Sequence, residues 1–200
     1  MRVDRLVDRF DPGPQPAGRA GAPGRLGLVQ AFLKTFWDLD AHGGEVWSSP
    51  RAYAAWLRDR GFAAAGVGEA DLRRAIELRE ALRALALANH DGAPAPAAEA
   101  VLDRLAAEVA PRAALVPRFG GGADRLEVSG DGPDAALALV LGVVFAARAD
   151  GSWRRLKACP HERCGWAFYD RSRNQSSQWC SMRICGNRTK AARHRSRHAA

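Results

Sequence analysis

The residues best suited to chemistry in this chain are four cysteines, Cys159, Cys164, Cys180 and Cys185, all within the last 42 of its 200 residues. They form two C-x4-C pairs, Cys159-Pro-His-Glu-Arg-Cys164 and Cys180-Ser-Met-Arg-Ile-Cys185, fifteen residues apart. Two matched pairs supply the four thiolates that one tetrahedral structural zinc needs. Catalytic zinc keeps an open position and commonly three protein ligands, so a closed four-sulfur shell points to structure rather than catalysis. Three rivals stand beside this reading: His161 as a substitute ligand, an iron–sulfur cluster, which also takes four cysteines, and buried cysteine pairs without metal. The C-x-x-C of a thioredoxin-type redox pair is absent.

The cysteines sit in a strongly basic stretch. Residues 153–200 hold twelve Lys or Arg against two acids, Glu162 and Asp170, whereas residues 1–152 hold eighteen against twenty. That asymmetry points to a polyanion partner for the C-terminal part, nucleic acid first. Arg171, Arg173 and Arg183 lie between or within the cysteine pairs. Asn187, Arg188, Lys190, Arg193, Arg195 and Arg197 follow them. Helical spacing puts Lys190, Arg193, His194 and Arg197 on one face, suited to phosphates, while Asn187 or Arg188 could reach base edges. Two other readings are RNA binding, with Trp166, Phe168, Tyr169 and Trp179 stacking bases, and a module that only braces the rest or mediates protein association.

The elements that position this module are legible in outline. Cys164-Gly165 permits a tight turn, Trp166–Tyr169 suits a short strand, and Gln178-Trp179 is expected to return as its hairpin partner. A module of about 45 residues has too little core to fold alone, so metal binding is expected to supply much of its folding energy. Upstream, eight of the fourteen residues 11–24 are Pro or Gly, which predicts a loop or flexible lead-in through residue 24. Apolar spacing then predicts helices from Leu26 through Trp37 and ended by His42-Gly43-Gly44, from Pro50 to Arg60 behind a Ser49 cap, from Gly68 to Asn89, and over about 97–109. Leu115–Phe119 and Arg125–Ser129 read as a hairpin. Asp131 caps an apolar helix reaching about residue 149. The fold class is mainly α with a small β-hairpin (α+β), residues 25–152 forming the body and 153–200 a zinc module of hairpin plus helix.

Longer strings carry a resemblance. Cys164-Gly-Trp-Ala-Phe-Tyr-Asp-Arg-Ser-Arg-Asn174, Trp179-Cys-Ser-Met182 and Cys185-Gly-Asn-Arg188 with Lys190-Ala-Ala-Arg193 closely resemble the CGNR zinc-finger family. Leu28–Thr35, Ser49–Leu57 and Leu72–Leu82 resemble, more loosely, that family's usual N-terminal partner, the ABATE domain of stress-induced transcription regulators. The resemblance implies a bacterial protein that binds duplex DNA through its finger and regulates transcription, with zinc on Cys159, Cys164, Cys180 and Cys185. The sequence departs from the pattern twice. Ala31-Phe-Leu-Lys-Thr35 stands where the family often has Asp-Phe-Val-Asn-Thr, and Ser177-Gln178 where it often has Arg-Arg.

In the body, Lys34, Trp37, Arg51 and Trp56 compose a second candidate, a pocket for a small-molecule effector, with Trp47 and Tyr53 nearby; core packing is the alternative for these rings. Arg73, Arg74, Arg79 and Arg83, with Glu77 and Glu80, are expected to form a solvated, ion-paired face. His42 near Glu45 and His90 near Asp91 read as surface loop pairs. Gly120-Gly-Gly122 reads as turn glycine. No Ser/His/Asp or paired-carboxylate constellation supports an enzyme. The longest apolar run, Ala135–Ala147, falls short of the roughly 20 residues a membrane helix needs, and the charged start lacks a secretory pattern. A cytoplasmic home is expected, with monomer and homodimer both open.

Overall fold

A computed structural model describes residues 10–38, 43–118 and 125–198, without the side chains of 118, 125, 126, 193, 197 and 198. His42, the Gly120–Gly122 turn and residues 1–9 of the charged start lie outside the described residues, as do the side chains of Arg193 and Arg197.

The body is built from α1 (Leu26–Leu33), α2 (Pro50–Asp59), α3 (Glu69–Ala88), α4 (Pro96–Val109) and α5 (Gly132–Ala149). Sequence reasoning places these helices well where a cap and a stop bracket them. The Ser49 side chain accepts from the Ala52 N–H at 3.3 Å, and α2 ends before Gly61 at φ 79°. The Asp131 carboxylate accepts from the N–H of Gly132 and of Ala63, fastening the start of α5 to the chain after α2. α5 is the apolar centre of the body and packs against α1, α2, α3 and α4. By length and composition it is long and apolar enough to cross a membrane, yet 61% of it is buried inside the protein, as a core helix is.

One expected boundary moves. The helix predicted to reach Trp37 ends at Leu33, and Phe36–Trp37 becomes β1, paired antiparallel with Gly44–Glu45, β2. The Thr35 hydroxyl donates to the Phe32 carbonyl at 2.8 Å at this corner, and the β-branched and aromatic run Thr35-Phe36-Trp37 favours extended backbone. The second hairpin stands where expected: β3 (Leu115–Arg118) pairs with β4 (Arg125–Val128) in the register Leu115↔Val128.

A third ribbon corrects the expected architecture of the module. Ala167–Tyr169 (β6) is a strand, but its partner is Leu156–Ala158 (β5), upstream of the first cysteine; Gln178-Trp179 is not a strand. Alternation then does two jobs. Leu156, Ala158, Ala167 and Tyr169 join the body core, while Phe168 joins the cysteine cluster. Lys157 is buried in an ion pair with Asp170. The ribbon lies against α3 and α1, so the module shares a core with the body rather than hanging from a tether.

The Pro/Gly segment 11–24 is irregular apart from a short 3-10 turn at Pro16–Gly18, as its composition demands, but it is not a loose lead-in. Phe10 and Ala22 are buried in the core. The Gln30 carboxamide on α1 joins three parts of the chain: Oε1 accepts from the Ala22 N–H at 2.6 Å, and Nε2 donates to Gln15 Oε1 and to the Ala167 carbonyl of β6.

Candidate metal centre and basic surface

The first cysteine pair is set by β5 and β6. The Cys159 N–H donates to the Trp166 carbonyl at 2.9 Å, closing the knuckle, and the Cys164 N–H donates to the His161 carbonyl at 2.9 Å. Gly165 sits at φ 62°, a left-handed turn that a side chain would strain. Of the second pair, Cys180 precedes and Cys185 sits on a single π-helical turn, Met182–Gly186, whose capping Ser181 hydroxyl accepts from the Ile184 N–H. Gly186 is needed for room: a Cβ there would meet Met182 Sδ at 2.4 Å and Trp179 Cδ1 at 3.0 Å. This turn runs without a break into α6 (Asn187–His198).

The four sulfurs converge. All lie within 4.8 Å of one another, with Cys164 to Cys180 at 3.7 Å and Cys180 to Cys185 at 3.6 Å. Sulfurs bound tetrahedrally to zinc at about 2.3 Å stand about 3.8 Å apart, so the cage has the right size. Each cysteine is at most 4% exposed. Phe168 packs against them, with Trp166, Trp179 and Ile184 partly buried around the rim. The chemistry of the set also calls for a cation. Hydrogen bonds from the Cys164 and Cys180 thiols pull the Cys159 thiol far below its ordinary value. Once Cys159 is ionised, its hydrogen bonds and charge hold the thiols of Cys164 and Cys180 above theirs. Burial, then the Cys159 charge, does the same to Cys185. Four thiolates this close need a divalent ion to coexist. These residues fit one structural Zn2+, held by Cys159, Cys164, Cys180 and Cys185, with no fifth position required of His161.

The basic residues fall into two groups. Arg173, Arg183, Asn187, Arg188, Lys190 and Arg195 are exposed on the module. Arg171 is already engaged: its guanidinium donates to the Gly21 carbonyl at 3.1 Å and lies 5.8 Å from the Tyr169 ring centre.

The four residues of the expected effector pocket do not meet in one place. Trp56 packs edge-on to Phe32 and Trp47 in the core, with Tyr53 beside them. Arg51 is exposed on the first turn of α2. Trp37 and Lys34 turn to the cysteine module, the Trp37 ring 5.3 Å from that of Trp166 and the Lys34 ammonium 4.6 Å above it.

The expected solvated arginine face of α3 is a second correction. Arg73 is exposed and Arg74 is partly shielded, but Arg79 is 2% exposed. It binds Glu45 with two nitrogens, at 2.6 and 2.7 Å, and Glu80 at 2.7 Å. Arg83 donates to the Gly165 carbonyl of the first knuckle and to the carbonyls of Leu33 and Phe36. His90 likewise leaves the surface: Nε2 lies 2.7 Å from the Ala158 carbonyl, beside Cys159. Sequence patterning misses these because helical spacing assigns a face without saying what covers it.

Sequence reasoning also misses Lys157 and Asp170, 1% and 0% exposed at the side chain and 3.0 Å apart. The available signals were a lysine inside the apolar triple Leu156-Lys-Ala158 and one of only two acids in a basic module.

An α-helical body whose core takes in the β5–β6 ribbon, a closed four-thiolate cage on the ribbon's other side and a basic C-terminal helix define the class: a two-part zinc-finger protein. The comparisons make it specific. Residues 26–157 match ABATE, "Putative stress-induced transcription regulator", and the chain belongs to this family. Residues 155–198 match the CGNR zinc finger, so the two meet on β5. Among curated proteins, none matches the chain.

Proposed function

We propose that the chain is a zinc-dependent transcription regulator that binds duplex DNA through its CGNR module. One observation carries this reading: α6 leaves the metal cage directly at Cys185, with Asn187, Lys190 and Arg195 exposed along it and Arg183 exposed on the turn before it. A cage that fixes the root of a cationic helix sets where its charges stand, which suits docking against phosphates spaced along a duplex. The aromatic set of the RNA reading is spent on packing. Phe168 and Tyr169 are buried, Trp166 is covered by Trp37 and Lys34, and Trp179 Cδ1 lies against the Gly186 backbone. Duplex backbone contact therefore fits this surface better than base stacking.

The test is a titration of zinc-loaded protein with duplex DNA at rising salt. Affinity should fall linearly on a double-logarithmic plot, with a slope of about −0.9 per phosphate neutralised. Lys190→Ala and Arg195→Ala should each weaken binding to all sequences and shallow the slope by about one. Absence of duplex binding at low salt would remove this reading.

A second reading has support of its own. Because β5 and β6 complete the body core, the module also braces the body. Truncation before Trp153 would uncover the α3 and α5 surfaces that Trp153 and Leu156 cover, and should lower the melting temperature of what remains.

A further inference from the structure

The loop between β6 and the second cysteine pair is built at unusual cost. Asp170 uses both carboxylate oxygens: Oδ1 accepts from the Ser172 N–H at 2.9 Å and the Ser172 hydroxyl at 2.7 Å. Oδ2 accepts from the Lys157 ammonium at 3.0 Å and the Ser177 N–H at 2.9 Å. Lys157 reaches onward to the carbonyls of Gln175 and Ser177. Arg155 donates to the carbonyls of Asp170 and Ser172, and the Ser172 hydroxyl accepts from the Ser176 N–H at 3.0 Å. Gln175 is held at φ 51°, a left-handed conformation unusual for a residue with a side chain.

A buried ion pair is a poor source of stability, since apolar residues of similar volume serve as well. What this pair does supply is shape. The loop is closed from within, and everything it does not need for that closure points out: Arg173, Asn174, Gln175 and Ser176 are all exposed. Arg173 and Asn174 have no hydrogen-bond or ion-pair partner among the described residues. A guanidinium followed by two carboxamides is a set that matches purine edges in the major groove, Arg to guanine O6/N7 and Asn or Gln to adenine N6/N7.

We infer that this loop is a preformed base-reading element, with Arg173, Asn174 and Gln175 contacting purine edges of duplex DNA and the Lys157–Asp170 pair acting as positioning residues. The inference rests on the DNA-binding reading above and adds a division of labour to it: α6 supplies phosphate contacts, the loop supplies sequence preference.

The experiment selects bound sites from a random duplex pool with the zinc-loaded full chain, then measures affinity for the selected and for scrambled duplexes. Wild type should yield a consensus containing purines. Asn174→Ala should lose about fivefold to hundredfold preference at one position while leaving scrambled-duplex affinity and salt slope unchanged. Arg173→Ala should lose preference at another position. The double variant Lys157→Met/Asp170→Asn should keep its zinc and most of its stability yet blur the consensus, which a merely structural pair would not do. An unchanged consensus in Asn174→Ala and Arg173→Ala, or duplex binding by wild type with no consensus, overturns the inference and leaves the DNA-binding reading standing. Loss of all duplex binding by wild type removes both.

Discussion

The body and the cysteine module bury different things. Between α1 and α5 the buried set is mostly Leu, Ala, Val and aromatic rings, with Gln30, Thr35 and Arg79 as polar members and Phe32, Trp47, Tyr53 and Trp56 meeting edge-on or stacked. Between Cys159 and Gly186, apart from Ala167 and Tyr169, which face the body, it is four cysteines, Phe168, Ser181 and a carboxylate, the last paired with a lysine from the adjoining strand. The body therefore draws on the non-directional hydrophobic effect, spread over many residues. The module depends on a few directional bonds, each of which matters singly. β5 and β6 show the two regimes back to back, apolar toward the body, with Phe168 toward the cage.

Metal removal tests that contrast most severely. Structural zinc contributes about 10–16 kcal/mol in small finger peptides, far more than any single contact in the body. Chelation, or Cys180→Ser, should melt the segment around the cage and α6 while α1 to α5 keep a separate, lower-temperature transition. Circular dichroism for the body helices and thiol reactivity of the four buried cysteines distinguish the parts. A single cooperative loss of both would erase the distinction between them.

The next largest effect belongs to Lys157 and Asp170. Lys157→Met takes the paired cation from a carboxylate that is 0% exposed, and breaking a buried pair from one side costs about 3–5 kcal/mol. Denaturant unfolding followed at the module should show it. The double variant Lys157→Met/Asp170→Asn should recover much of the loss. If the single variant is neutral, the pair does not hold the loop.

The same contrast explains what could be read in the sequence. The metal cage was legible because ligation needs particular residues at particular spacings, and the helices because period and caps are local. The register of the module was not. Trp166–Tyr169 looks like a strand whichever neighbour it pairs with, and pairing with Leu156–Ala158 is decided by the body surface that four of those six side chains cover. The role of residues 10–24 was hidden for the same reason: proline and glycine forbid regular structure but not docking. Arg79, Arg83 and Lys34 carry charges that composition assigns to solvent, and apart from Glu80 the carboxylate, carbonyl and ring partners that bury them are distant in sequence.

Arg83 measures how firmly the two regions are joined. Its guanidinium serves the Gly165, Leu33 and Phe36 carbonyls at once. Arg83→Ala leaves these acceptors short of a donor and should cost about 2 kcal/mol. The loss should appear in the module transition of the chelation experiment, with zinc affinity reduced because the first knuckle loses its support on α3. An unchanged module transition would place the junction's strength in the β5–α3 contact instead.

Lys34 gives the smallest effect and the one with a pH signature. Burial against Trp166 and the Pro12 and Pro14 carbonyls lowers its pKa from 10.5 to about 8, with Asp11 opposing the shift. Between those values the unfolded chain holds the proton and the folded chain does not. Stability should therefore rise with pH across that window and lose this contribution as pH falls through about 8. Lys34→Met keeps the apolar stem over the Trp166 ring and removes the titration. Denaturant midpoints of wild type and variant at pH 8 and pH 10 isolate the lysine, because other groups titrate in both. Wild type should gain on the variant as pH rises. A constant difference between them would mean that the ammonium is as well solvated at the junction as in the unfolded chain, and that segment 10–24 does not seal this edge of the module.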